Sequence, residues 1–120
     1  MTIRPVRIDR LLPSANLWNN KRGRFASQTY SKERDAWMIL LRCALPIRNR
    51  APQIHVRMRI TSYRRSILDY GNLVAGAKPI PDCLKYLGYI YDDAPKWFTC
   101  AYEQFQAPEA LRGTVLEFLT

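Results

Sequence analysis

A chain of 120 residues is long enough for one compact domain and too short for two domains with separate cores. Its composition, 48% hydrophobic and 24% charged, supports a packed core and excludes a disordered chain. A formal net charge of +9 selects polyanions as partners, because such a surface attracts phosphate and releases its counterions on binding.

Residues 1–10 read as a strand, with Ile3, Val6 and Ile8 apolar among Arg4, Arg7 and Arg10, and Pro5 assigns it to an edge. From Pro13 to Tyr30 the chain is polar and loop-like, an expected phosphate-contacting loop containing Asn16, Lys21, Arg22 and Arg24. Ser31 is placed to cap a helix running to about Leu45, with Trp37, Leu40, Leu41 and Ala44 on one stripe and Pro46 ending it. Residues 53–63 alternate, Ile54, Val56, Met58 and Ile60 against His55, Arg57, Arg59 and Thr61, which predicts a half-buried strand with a basic outer face.

A turn over 64–71 leads into a helix in which Leu73, Ala77, Leu84 and Leu87 recur. Pro79 and Pro81 predict a kink in it, and Gly88 its C-terminal cap. On it Lys78, Asp82 and Lys85 share a polar face. Beyond the Asp92-Asp93-Ala94-Pro95 turn, residues 97–105 and 113–119 read as two aromatic and β-branched strands. The expected class is α+β: one domain over 1–120, a mixed or antiparallel sheet of about four strands and two main helices.

Charge is segregated along the chain. Residues 1–67 carry 15 Lys or Arg against Asp9, Glu33 and Asp35, whereas residues 68–120 carry 4 against 7 carboxylates. Four of those carboxylates, Asp69, Asp82, Asp92 and Asp93, fall within 25 residues. Carboxylates facing a phosphate backbone repel it unless a divalent cation bridges them, so an acidic island in a basic chain suggests a metal-dependent nuclease or polymerase. The bland alternative is that they are turn and cap residues.

His55, the single histidine, alternates to the polar face between arginines and suits a surface role better than acid–base work. Trp37 and Trp97 fall on packing positions, which leaves Trp18 as the base-stacking candidate. Cys43, Cys83 and Cys100 are odd in number and widely spaced, suggesting free thiols in a reducing cytoplasm. Neither a signal peptide nor a membrane-spanning apolar run is visible, so no membrane partner is expected.

The run Leu68-Asp69-Tyr70-Gly71-Asn72-Leu73, followed by Lys78, Asp82-Cys83-Leu84, Gly88 and Asp92-Asp93, resembles the RusA family of Holliday-junction resolvases of phages and prophages. That family's pattern is D-x-D-N-L, a lysine, D-x-L, a glycine and D-D. Pro13-Ser14-Ala15-Asn16 and the basic Lys21-Arg22-Gly23-Arg24 extend the likeness over most of the chain. The resemblance implies a homodimer that nicks four-way junctions with magnesium or manganese. It makes Asp69 and Asp93 catalytic metal ligands and Lys78 the essential cation, with Asp92 nearby and Asn72 or Asp82 as further donors. Gly71 stands where the family carries its second aspartate.

Arg57, Arg59, Arg64 and Arg65, with Asn16 and the 21–24 loop, are then the expected DNA grip. Two readings compete with the resolvase. One is a branched-DNA-binding protein of the same fold in which Gly71 has abolished metal binding; the other is a small RNA-binding or regulatory domain.

Overall fold

The computed structural model describes residues 3–14, 16–19, 23–46, 48 and 50–119, and of Asn19 and Arg24 the backbone alone. In chain order these form β1 (Val6–Ile8), α1 (Asn16–Asn19), α2 (Arg24–Ala44), β2 (Val56–Arg64), α3 (Tyr70–Gly76), α4 (Pro79–Tyr86), β3 (Phe98–Gln106), a 3-10 turn (Glu109–Leu111) and β4 (Gly113–Leu119). The sheet order is β1-β4-β2-β3. β2 and β3 are parallel and in register from Val56 opposite Phe98 to Arg64 opposite Gln106, while β4 runs antiparallel to both its neighbours. A parallel pair needs a crossover, and α3 with α4 supplies it. The expected α+β class with a four-stranded mixed sheet and two main helical segments is the observed one.

Alternation decides which face of the sheet is covered. Met58 and Ile60 of β2, Phe98 of β3 and Leu116 of β4 are buried, and so are Trp37 and Leu41 of α2 and Ile80 and Leu84 of α4. Each such side chain contributes about 1.5–3 kcal/mol by leaving water, so this single layer between sheet and helices carries the fold. β1 is short and pairs with β4 alone, the edge position that Pro5 predicts. Met1 and Thr2 of that predicted strand lie outside the described residues.

Two expectations change. The segment read as a loop from Pro13 to Tyr30 contains α1 and the first turns of α2, so that α2 begins at Arg24 and Ser31 is interior. Residues 24–30 hold neither proline nor glycine, and Tyr30 is anchored from α2 to α4 by its hydroxyl, which donates to Asp82. That tether rewards continuing the helix over capping it at Ser31. The second concerns the outer face of the sheet. Arg57 and Arg59 do lie there, but Glu103 and Glu117 join them, so that face is mixed in charge.

The kink is where the prolines put it. α3 ends at Gly76, Ala77 and Lys78 keep near-helical dihedrals, and Pro79 occupies the first turn of α4, where its missing N–H costs nothing. At the far end Gly88 closes α4 with φ +85°: its amide donates to Lys85 O at 3.3 Å and the Tyr89 amide to Leu84 O at 2.9 Å. This paired return to the last turn is a Schellman cap.

Candidate active site

The bent helix and β3 border an open cavity of about 330 Å³. Val74, Lys78 and Pro81 line it from the helix side, Phe98, Cys100 and Tyr102 from the inward register of β3, and Asp93 from the loop between them. Two residues 15 apart in sequence, Lys78 and Asp93, thus face one volume because the crossover folds back on β3. Lys78 is exposed, and its ammonium lies 5.3 Å from the centre of the Tyr30 ring, a cation–π contact that holds a flexible cation near the cavity. Trp18 packs edge-on against the same ring at 5.2 Å, so it braces Tyr30.

The two adjacent aspartates are turned to different work. Asp92 Oδ1 accepts the Asp93 backbone amide at 2.9 Å and Lys85 Nζ at 3.4 Å. Those contacts, the Asp93 amide foremost, hold the Asp92 carboxyl below the usual carboxylate range. Asp92 is a turn residue that leaves Asp93 to the cavity. Asp82 accepts from Tyr30 and lines a separate depression with Arg34, Asp35 and Lys85, whose lining does not include Asp93. Burial first, and then the bond to Asp82, push the Tyr30 phenol well above its ordinary value, so it stays a donor across the physiological range.

Asp69 is exposed at the N-cap of α3, and Asn72 Nδ2 donates to its Oδ2 at 3.2 Å. Seven helical residues, about 10 Å at the α-helical rise, lead from there toward Lys78. Gly71 is exposed in the first turn of α3, and a Cβ placed on it meets no described atom within 4 Å. The aspartate expected at this position is therefore absent without being sterically excluded.

Among the described residues no three His, Cys, Asp or Glu side chains gather as a metal-holding group. Magnesium asks for less, since it is commonly held by one or two carboxylates with phosphate oxygens and water completing its shell. Asp93 on the cavity and the Asp69–Asn72 pair are donors of that class. Burial pushes the thiols of Cys83 and Cys100 up to about 11, which keeps both protonated near neutral pH and makes them poor nucleophiles.

The arginines divide. Arg57 and Arg65 are exposed. Arg59 reaches Glu103 at 3.7 Å and Glu117 at 3.6 Å across neighbouring strands. Arg64 donates to Leu12 O and Ser66 O, both at 2.8 Å, and its burial lowers its pKa. Arg59 and Arg64 thus bind the fold to itself. Asn16 is exposed at the start of α1, Lys21 and Arg22 lie outside the described residues, and of Arg24 the backbone alone is described.

Tyr102 and Tyr30 escape sequence reasoning. Tyr102 lies in a strand whose alternation marks it as inward without revealing a cavity, and Tyr30 lies in the stretch that reads as a loop. Burial raises the Tyr102 phenol, helped by Cys100, Tyr70 and Asp93 nearby. His55 bridges Lys96 O and Thr99 Oγ1 at 2.9 and 3.0 Å, the surface role expected of it. No helix among the described residues is long and apolar enough to cross a membrane. Comparison with known protein families, with curated proteins and with solved structures finds no match.

Proposed function

We propose that the chain is an endodeoxyribonuclease of the Holliday-junction-resolving kind, hydrolysing phosphodiester bonds of branched DNA with magnesium or manganese, as a cytoplasmic homodimer. The observation that carries this reading is the convergence of Lys78 and Asp93 on one cavity, because these are two of the three residues to which the resolvase resemblance assigns catalysis. The basic excess of the first 67 residues supports a phosphate partner.

A bound divalent ion supplies Lewis acidity and a water of lowered pKa. The chain's own groups do the rest. Lys78 donates to a non-bridging phosphate oxygen and offsets the charge that builds there during attack. Asp93 on the cavity would hold the ion, with Asp69 and Asn72 at the head of α3 as the further oxygen donors that the resemblance assigns. Tyr30 keeps the Lys78 ammonium near the cavity, which reduces the ordering cost of a long side chain.

Nicking of synthetic four-way, forked and linear DNA in magnesium tests the reading. Asp93→Asn and Asp69→Asn are expected to lower cleavage at least about 100-fold while binding is kept or tightened, since an anion has been removed from a phosphate site. If both variants cut as fast as the parent, the assigned residues are wrong.

A second reading, a junction-binding protein that does not cut, rests on Gly71, which stands where the resolvase pattern carries a second carboxylate. Intact binding without nicking under any divalent ion selects it.

A further inference from the structure

A second cavity, of about 320 Å³, lies at the opposite end of α4 from Lys78. Leu41 of α2 and Leu45, just past its end, form its apolar floor, Tyr86 and Tyr89 contribute aromatic walls, and Arg42 and Arg48 stand beside them. Tyr86 is 83% exposed, an unusual position for a ring at the end of a helix whose other apolar residues are buried. Arg48 is held with its guanidinium carbon 4.6 Å from the centre of the Tyr89 ring, and Tyr89 is fixed in turn by its hydroxyl, which donates to Pro46 O. Arg42, in the last turn of α2, is exposed.

An apolar slot with aromatic walls and two adjacent guanidinium groups suits a ligand that is planar and apolar on its faces and anionic along its edge. An unpaired nucleotide is such a ligand: its base stacks on tyrosine and fills the slot, and its phosphate meets arginine in bidentate geometry. An acidic peptide satisfies the arginines but gives the exposed ring and the apolar floor nothing to cover them. The charge of the whole chain, +9, draws a polynucleotide to this surface.

We propose that the cavity between the C-terminal ends of α2 and α4 binds an unpaired nucleotide of a single-stranded segment, with the base stacked on Tyr86 and the phosphate held by Arg42 and Arg48. This deepens the nucleic-acid reading above and rests on its binding half alone. The eight residues of α4, about 12 Å at the helical rise, separate Lys78 at its start from Tyr86 at its end.

The test uses fluorescence anisotropy of a fluorescein-labelled oligothymidylate of about 15 nucleotides, within the usual range of single-strand sites, and of the same strand carrying abasic residues, both in EDTA. Tyr86→Ala is expected to weaken oligothymidylate binding about five- to tenfold and Tyr86→Phe to leave it within about twofold, because the ring is what stacks. Arg42→Glu is expected to weaken it by a similar factor through the phosphate. The parent protein is expected to bind the abasic strand at least about fivefold more weakly than oligothymidylate, a comparison that needs no variant to fold.

Equal affinity of the parent for the two strands, or of Tyr86→Ala and the parent for oligothymidylate, overturns the proposal. So does displacement of the strand by an equimolar glutamate-rich peptide. Working in EDTA separates the two proposals. A chain that binds through Tyr86 and never nicks DNA keeps this inference and loses the nuclease, whereas one that nicks and ignores Tyr86→Ala does the reverse.

Discussion

Gly71 departs from the resolvase pattern at a position where the fold has room for the expected side chain. It lies in the first turn of α3, exposed, at a backbone conformation open to any residue. Gly71→Asp is therefore predicted to fold, and to be more stable than the parent by about 0.5–1 kcal/mol, because it restricts the unfolded chain and puts an anion at a helix N-terminus. If the nuclease reading holds, the added carboxylate also lowers the magnesium concentration for half-maximal nicking at least about tenfold, roughly 1.4 kcal/mol of added affinity. Thermal melting checks the first statement and a magnesium titration of cleavage the second; a destabilised variant contradicts the geometry of α3 itself. Glu33 poses a different question, because it is a buried carboxylate on the inner stripe of α2. It accepts from Arg10 at 2.7 and 3.1 Å and from the indole N–H of buried Trp37 at 3.1 Å. Glu33→Ala leaves that indole without its acceptor and is expected to cost about 1–3 kcal/mol in urea denaturation. Glu33→Gln keeps an acceptor and should cost less.

At the scale of elements, the signals that read correctly were local ones. Alternation in 53–63, 97–105 and 113–119 located three strands to within a few residues, since a half-buried strand has a period that its neighbours cannot disguise. Pro79 placed the bend between α3 and α4, and Gly88 the end of α4, because each imposes a backbone geometry by itself. Gly88→Ala forces a Cβ into the left-handed region and to 3.4 Å from Arg48 O, so a loss of about 1–2 kcal/mol is expected from chemical denaturation. An unchanged midpoint would mean that the cap is not formed. What could not be read was the start of α2. Residues 24–30 have little apolar periodicity, and they are helical beside Tyr30, whose partner Asp82 is 52 residues away. Of the cavity's lining the motif named Lys78 and Asp93, but nothing local tells Asp93 from Asp92, and the Lys85 contact that engages Asp92 is a tertiary one.

For the molecule as a whole, the net charge of +9 supports the proposed polyanionic partner without saying which cations would meet it. In sequence Arg57, Arg59, Arg64 and Arg65 form one basic group, yet the sheet sorts them into two kinds. Arg59 sits on a central strand between Glu103 and Glu117, and Arg64 stitches Leu12 and Ser66 to β2, whereas Arg57 and Arg65 project toward solvent. A cation that neutralises a phosphate contributes close to one unit to the slope of log affinity against log salt, and a cation already paired within the protein contributes less. Arg57→Ala and Arg65→Ala are therefore expected to reduce that slope by about one each with little change in melting temperature. Arg64→Ala is expected to leave the slope within about half a unit and to cost about 1–3 kcal/mol of stability, because it strips donors from two backbone carbonyls. Arg59→Ala should behave likewise with a smaller stability loss, since its carboxylate partners are partly exposed and screened. Salt titrations of duplex and four-way DNA binding, run beside urea melts of the four variants, separate the two kinds. A uniform fall in slope across all four would mean that the outer face of the sheet, glutamates included, opens to receive DNA.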